Sequence, residues 1–217
     1  MDQRTSGITR RAAMQRVTAL LGGAALAGGD RLLAFSFDAA ALSQARGQGA
    51  GLFTGADVAL LDEIAETILP ETSTPGAKAA QAGAFMALMV TAAYTEPAQR
   101  VFRNGMRQLD DACQKAHATS FMTASPAQRL VLLEALDREQ KTAMEERASA
   151  PRSRAPAAAS AGSEPAHYFR MMKELALLGY FTSEIGYTRA MRYLETPGRF
   201  DPCVPHGAGD KSWAPHA

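Results

Sequence analysis

The sequence predicts an all-α fold, an irregular helical bundle of about six helices followed by an extended irregular C-terminal tail. Alanine-rich segments with few β-branched residues recur along the chain, and no window of Val, Ile and Thr alternates over the length of a strand. Large apolar residues instead repeat at every third or fourth position, the spacing that places them on one helix face. Helix start signals precede several of these segments, so each helix can be assigned in turn.

The first two helices follow capping and turn signals. Thr54 is a good N-cap with Asp57 at the third helical position, and it opens a helix over about 55–69 that ends before Pro70. The apolar face of this helix comprises Leu60, Leu61, Ile64, Ile68 and Leu69. After a turn rich in Thr, Ser, Pro and Gly, a second helix is predicted over 77–94.

The third and fourth helices begin at proline residues. Pro97 starts the third, whose apolar stripe comprises Phe102, Met106, Leu109 and Cys113. Ser125, Pro126 and Gln128 combine an N-cap, a proline at the first helical position and a capping-box partner, so a fourth helix runs from there to about Arg147. Its buried face is expected to contain Leu130, Leu133, Leu136 and Met144.

A segment of different composition precedes the last two helices. Residues 148–165 contain Ala, Ser, Pro, Arg and Gly without a large apolar residue, which indicates a disordered insertion. A fifth helix over about 166–180 is apolar on almost every side, so it is either the centre of the bundle or faces another protein. We expect partner contacts from some of Phe169, Met172, Tyr180 and Phe181. Ser183 caps a sixth, short helix to about Leu194.

The first 27 residues have the layout of an export signal. Arg10 and Arg11 precede a mild apolar run over 17–27 that ends in Ala-Leu-Ala, a small-residue cleavage candidate. The adjacent arginines indicate the twin-arginine type, and the alternative is an ordinary secretory signal with a chance basic pair. As a helix the run would be about 17 Å long, too short for the ~30 Å hydrocarbon core, so no transmembrane helix is expected. Residues 28–52 are predicted to be a flexible linker.

Composition excludes several classes of function. The 23 Lys and Arg residues balance 22 Asp and Glu residues and are scattered, so no basic footprint for nucleic acid exists. Two cysteines are too few for a disulfide-dense scaffold, a four-cysteine iron–sulfur site or a Cys-x-x-Cys-His haem attachment. We therefore expect no redox metal held by this chain.

No catalytic motif is present either. The sequence lacks a Gly-x-Ser-x-Gly elbow, a His-Glu-x-x-His motif and a phosphate-binding loop, and its four histidines are isolated from one another. The adjacent carboxylates Asp62-Glu63, Asp110-Asp111 and Glu145-Glu146 point to different helix sides, and we interpret them as solvated faces. The prediction is a domain without catalytic, cofactor-binding or metal-ligating residues.

Two blocks of sequence carry a resemblance to a known family. Residues 173–186, KELALLGYFTSEIG, with 197–205, PGRFDPCVP, resemble the C-terminal signature of the gluconate 2-dehydrogenase subunit 3 family. Residues 64–70, IAETILP, with 74–80, TPGAKAA, resemble its N-terminal signature. The resemblance covers about 53–205 and leaves 206–217 as an irregular tail.

The resemblance implies a small, noncatalytic subunit of a periplasmic FAD-dependent sugar or polyol dehydrogenase complex, membrane-associated through its partner subunits. In such complexes a flavoprotein of the glucose-methanol-choline oxidoreductase type holds FAD, and a multihaem cytochrome c passes electrons onward. Haem c, and iron–sulfur groups as a further candidate, would belong to those partners. The resemblance implies that the small subunit carries the export signal, escorts the flavoprotein through twin-arginine export and stabilises the flavoprotein.

Two other functions stay open. The subunit could also complete the catalytic pocket or the electron path, or the chain could be a stand-alone periplasmic helical binding domain.

The two cysteines lie in different surroundings. Cys113 lies on an apolar stripe, whereas Cys203 follows Pro202 in an irregular segment. We predict that Cys203 forms a disulfide with the flavoprotein and that Cys113 stays reduced; an internal bridge between them is the alternative.

Overall fold

The computed structural model describes residues 39–149, 165–196, 198, 203, 205 and 207–214. These residues belong to one compact unit that begins at Ala39. The elements are α1 (Ala39–Gln48), α2 (Gly55–Ile68), α3 (Ala82–Ala93), α4 (Glu96–His117), α5 (Pro126–Ser149), α6 (Tyr168–Phe181) and a π-helical segment (Gly186–Ala190). The described residues form no strand beyond two isolated bridges, so the all-α prediction is confirmed.

The predicted caps of two helices are confirmed. At the start of α2, the Thr54 hydroxyl accepts the Asp57 N–H at 3.2 Å and the Asp57 carboxylate accepts the Thr54 N–H at 2.8 Å. At the start of α5, Ser125 and Gln128 exchange the same pair of bonds at 3.3 and 2.9 Å. Each N-cap satisfies donors that a helix leaves unpaired and stabilises by about 1 kcal/mol.

The second predicted helix begins five residues later than expected, at Ala82. Residues 77–81 form a turn closed by the Ala82 N–H bonding to the Ala77 carbonyl at 3.1 Å. Gln81 adopts φ +56°, a left-handed conformation that no residue within a right-handed helix can adopt. The alanine-rich composition of this stretch gave no sign of the break.

Helices α2 and α3 approach each other closely just after that turn. Gly83 lies so near α2 that an added Cβ would stand 2.5 Å from the Asp62 backbone nitrogen. Its N–H donates to the Asp62 side chain at 3.0 Å. A larger residue at position 83 would therefore push the two helices apart.

Helix α1 corrects the prediction that residues 28–52 form a flexible linker. Residues 39–48 are helical, and Ala45 is buried against the bundle. The Arg46 guanidinium lies 3.0 Å from the Asp62 carboxylate of α2. Small and polar residues give α1 no apolar stripe, so its periodicity carried no helix signal.

Helices α4 and α5 match their predicted ranges, with two corrections to the buried face of α5. The stripe of Phe102, Met106, Leu109 and Cys113 is buried as predicted. On α5, Leu133 and Leu136 are buried as expected, but Leu130 is 48% exposed and Leu132 is buried instead. The predictions for Leu130 and for Met144, which is only half-buried, are therefore wrong, because both side chains line cavities that open to solvent.

Helix α6 is the centre of the bundle. It packs against α2, α3, α4 and α5. Two glycines allow this proximity: an added Cβ at Gly105 of α4 would stand 2.3 Å from Tyr168, and one at Gly179 would stand 2.7 Å from Phe85. A helix surrounded by four others needs apolar residues on most sides, which explains its composition.

The chain after α6 differs from the predicted sixth helix. Ser183 does cap a helical turn, since its hydroxyl accepts the Gly186 N–H at 3.0 Å. The turn then widens into the π-helical segment and stops at Ala190, four residues before the predicted end. Most of the predicted insertion, residues 150–164, lies outside the described residues.

Candidate partner-binding surface

The four predicted interface residues of α6 divide into two groups. Phe169, Met172 and Tyr180 are buried inside this chain, so their side chains belong to its own core. Phe181 is 38% exposed at the last position of the helix. Of these four, Phe181 is the residue with surface to offer a partner.

Further exposed apolar residues lie before and after Phe181 along the chain. We define the C-terminal apolar surface as Leu178, Phe181, Tyr193, Leu194 and Trp213, whose exposed fractions lie between 38% and 47%. Gly186, the first residue of the π-helical segment, lies close to the end of α6: an added Cβ there would stand 2.9 Å from the Phe181 Cα. Aromatic side chains of this kind are enriched at protein interfaces. The sequence blocks were recognised as a family pattern, but the exposure of Leu178, Tyr193, Leu194 and Trp213 was not predicted.

The tail after the π-helical segment is held against Arg192. The Arg192 N–H donates to Ser212, and the Ala214 N–H donates to the Arg192 carbonyl, both at 2.8 Å. The Arg192 guanidinium lies 5.0 Å from the centre of the Trp213 ring, in cation–π geometry. Residues 212–214 therefore lie beside Arg192, with the Trp213 ring next to its guanidinium.

Asp62 departs from the interpretation of the carboxylate pairs as solvated faces. It is 2% exposed and binds Arg46 of α1 and the Gly83 N–H of α3. Burial raises the pKa of the Asp62 carboxyl, although the positive charge of Arg46 and the Gly83 N–H favour its charged form. Asp62 thus ties three helices together.

Its neighbour Glu63 is also part of a network. The Glu63 carboxylate pairs with Lys78 of the α2–α3 loop and with Arg129 of α5, the latter at 2.5 Å. Burial opposes ionisation of Glu63, but the hydrogen bonds and charges of Lys78 and Arg129 outweigh it, so its pKa is lowered. Because both cations are distant from Glu63 in the sequence, the neighbouring residues of Glu63 could not predict the network.

Among the residues that the structure describes, no group of three or more His, Cys, Asp or Glu side chains could hold a metal ion. His167 has a local role, since its Nδ1 accepts the Phe169 N–H at 3.3 Å as the cap of α6. Cys113 is buried and Cys203 is exposed, as predicted, and each is a free thiol. Burial, together with the nearby Asp110, raises the pKa of the Cys113 thiol.

The described helices include none that is long and apolar enough to span a bilayer. Arg10 and Arg11 lie outside the described residues, so the export signal stays a prediction. The same holds for the predicted disulfide, whose partner would be another chain.

Comparison with known protein families gives a match. A family model described as gluconate 2-dehydrogenase subunit 3 matches residues 56–198, about two thirds of the chain. The match spans α2 to the π-helical segment and includes residues 64–80 and 173–186 of the two blocks noted in the sequence, but it ends at 198, so most of 197–205 lies beyond it. No curated protein and no solved structure matches the chain.

Proposed function

Because this chain belongs to the gluconate 2-dehydrogenase subunit 3 family, we propose that it is the small, noncatalytic subunit of a periplasmic FAD-dependent sugar or polyol dehydrogenase complex. Its direct partner is a flavoprotein of the glucose-methanol-choline type, which holds FAD and oxidises the substrate. A multihaem cytochrome c joins the complex indirectly through the flavoprotein. The family match is the observation that carries this proposal.

The subunit escorts its partner during export and stabilises it afterwards. Arg10 and Arg11 give this chain a twin-arginine address, a route that accepts folded proteins with cofactors already inserted. A flavoprotein that binds FAD before export would need such a route, and this chain can supply the address in trans. The complex is membrane-associated through its partner subunits.

The exposed apolar side chains support the proposal that this chain binds a partner stably. Five large ones form the C-terminal apolar surface, and aromatic side chains commonly anchor interfaces. Phe181 is the residue there that was also expected from sequence. A partner that covers these residues would remove apolar area from water and so gain affinity.

Purification of the tagged full-length chain from its native host tests the proposal. We expect a flavoprotein to co-purify in constant ratio, identified by bound FAD and by mass. Recovery of the chain as a monodisperse monomer without flavoprotein would instead support the stand-alone binding domain.

The export role is tested with Arg10→Lys combined with Arg11→Lys. Lysine keeps the charge but lacks the planar guanidinium, so both this chain and its flavoprotein should stay in the cytoplasm. A flavoprotein that still reaches the periplasm would contradict the escort role.

A catalytic contribution is the second candidate. Removing this chain from the purified complex should leave FAD bound and substrate-dependent dye reduction intact if the subunit is noncatalytic. Loss of activity with the flavoprotein still folded would favour a subunit that completes the pocket or the electron path.

A further inference from the structure

The end of the described chain packs against a single residue, Arg192. Each of the five consecutive residues 210–214 contacts it. We call residues 207–214 the C-terminal strap. Arg192 contacts the strap through both its backbone and its side chain, so a substitution at this position removes one set of contacts and keeps the other.

The Arg192 side chain makes three different contacts with the strap. Its Nε donates to the Lys211 carbonyl at 2.6 Å, and its Nη2 lies 4.0 Å from the Asp210 carboxylate. The guanidinium carbon also stands over the Trp213 ring, 5.0 Å from its centre. A planar guanidinium can donate a hydrogen bond in its plane and stack on a ring at the same time, which a lysine ammonium cannot do.

Backbone hydrogen bonds complete the attachment of the strap. The two bonds on either side of Arg192, to the Ser212 carbonyl and from the Ala214 N–H, form a short parallel bridge. At the start of the strap, the Asp210 N–H donates to the Gly207 carbonyl at 3.1 Å, and the Asp210 carboxylate accepts the Gly207 N–H at 2.9 Å. The strap therefore consists of a closed turn and a short extended segment.

Little buried area holds the strap in place. Residues 207–213 are all exposed, and Ala214 is the one buried residue of the strap. Segments with few buried apolar contacts and with solvent-exposed hydrogen bonds open locally, at a free energy below that of global unfolding. The strap thus has the properties of an element that opens while the helical bundle stays folded.

The position of the strap decides the chemistry of the C-terminal apolar surface. When the strap is closed, Trp213 belongs to that surface and its ring covers the Arg192 guanidinium. When the strap opens, the ring and the Asp210 carboxylate both leave Arg192. A charged guanidinium then stands next in the chain to the exposed Tyr193, so an aromatic surface becomes a basic one.

We propose that the C-terminal strap opens and closes independently of the helical bundle, with the Arg192 side chain as its latch. Closure adds Trp213 to the C-terminal apolar surface, and opening replaces it with the charge of Arg192. Arg192 is a positioning residue in this device, because it acts through the placement of Trp213. The inference concerns the chain by itself and does not depend on the identity of a partner.

The fluorescence of Trp213 tests the latch. Trp213 is the single tryptophan of the chain, so quenching by acrylamide reports on the strap alone. It is measured on the full-length wild type and on Arg192→Ala and Arg192→Lys, which remove the planar guanidinium. Arg189→Ala is the matched control: it removes an exposed positive charge three residues earlier but keeps the carbonyl that accepts the Lys211 ammonium.

We expect Arg192→Ala to raise the quenching constant by up to about two-fold, because Trp213 is 47% exposed in the closed strap and fully exposed in the open one. Arg192→Lys should raise it as well, whereas Arg189→Ala should match the wild type. Helical circular dichroism should be unchanged in all three variants. Wild-type quenching in both Arg192 variants, or an equal rise in Arg189→Ala, would overturn the latch. Loss of helical signal in both Arg192 variants would make the strap part of the bundle and would overturn the proposal too.

Hydrogen exchange of the wild type tests the independent opening. The Ala214 amide, which donates to the Arg192 carbonyl, should show a protection factor at least about ten-fold below that of a core amide such as Leu109. Equal protection would mean that the strap opens only on global unfolding, and no protection would mean that it is not closed; either result would overturn the proposal. The proposed function is unaffected by these outcomes, because no partner takes part in the measurement.

Discussion

The hydroxyl of Tyr180 donates a hydrogen bond to the carbonyl of Pro75 at 2.8 Å, across 105 positions of sequence. Tyr180 is the second-to-last residue of the central helix α6, and Pro75 lies in the loop between α2 and α3. The same loop is held by Glu66, whose carboxylate accepts the N–H groups of Glu71 at 2.9 Å and Lys78 at 2.7 Å. The two sequence blocks that resemble the family therefore meet in space.

Tyr180→Phe removes this hydrogen bond and keeps the ring. We expect the free energy of unfolding to fall by about 1 kcal/mol, since Tyr180 is buried and Pro75 half-buried, so the Pro75 carbonyl would lose a partner that water replaces only in part. Urea unfolding followed by circular dichroism measures the change. Tyr193→Phe, at an exposed position, is the control and should stay within about 0.5 kcal/mol; equal losses in both would contradict a specific role for the Pro75 bond.

Helix positions could be predicted where their signals are local. The capping boxes at Thr54 and Ser125 each involve residues three apart, so the printed sequence contains the whole motif. The break at Gln81 could not be predicted, because its left-handed backbone is imposed by the packing of α3 against α2 at Gly83. Helix α1 was missed for the same reason: Arg46 is fixed by the distant Asp62.

The candidate surface was only partly predictable. Composition shows that α6 is apolar on nearly every side, but which side is covered depends on four other helices. Phe169 and Phe181 look alike in sequence, yet one is buried and the other exposed. The position of Trp213 is set by contacts with Arg192, about twenty residues earlier in the sequence, so it could not be predicted from local signals.

The C-terminal end of α4 allows a stabilising substitution. Ala118 adopts φ +53° as the cap of the helix, a conformation that glycine adopts without strain. We expect Ala118→Gly to stabilise the protein by about 0.5–1 kcal/mol. Ala116→Gly, two residues earlier within the helix, should destabilise it by about the same amount, measured by thermal unfolding. The same sign for both would show that the conformation of residue 118 does not limit stability.

Asp137 should make stability depend on pH in acid. The pKa of its carboxyl is lowered from 3.8 to about 2, and the hydrogen bond from Lys173 is the largest cause. Burial opposes this lowering, whereas hydrogen bonds from Lys141 and Gln140 add to it. A lowered pKa in the folded state stabilises the protein fully above about pH 4, and this contribution is lost as the pH falls to about 2. We expect Asp137→Asn to flatten the fall in unfolding free energy over that range, measured by urea unfolding at successive pH values. An unchanged slope would contradict the shift.

Phe181 should contribute to partner binding more than to folding. Because its side chain is 38% exposed, Phe181→Ala should leave helical circular dichroism unchanged and weaken co-purification with the flavoprotein. Phe169→Ala is the matched control on the same helix: its buried ring fills the core, so we expect a loss of about 3–5 kcal/mol in stability. Unfolding of Phe181→Ala would show that its ring belongs to the core, and full retention of the flavoprotein would place the interface elsewhere.

The two cysteines should behave differently in the intact complex. Cys113 is buried with a raised pKa, which disfavours the reactive thiolate, whereas Cys203 is exposed and the periplasm is oxidising. We predict that Cys203 and a cysteine of the flavoprotein lose their two thiol hydrogens to the periplasmic oxidant and form a disulfide. Non-reducing electrophoresis should then show a band at the combined mass, absent in Cys203→Ser and retained in Cys113→Ser. A combined band that survives Cys203→Ser, or its absence from the wild-type complex, would contradict the bridge.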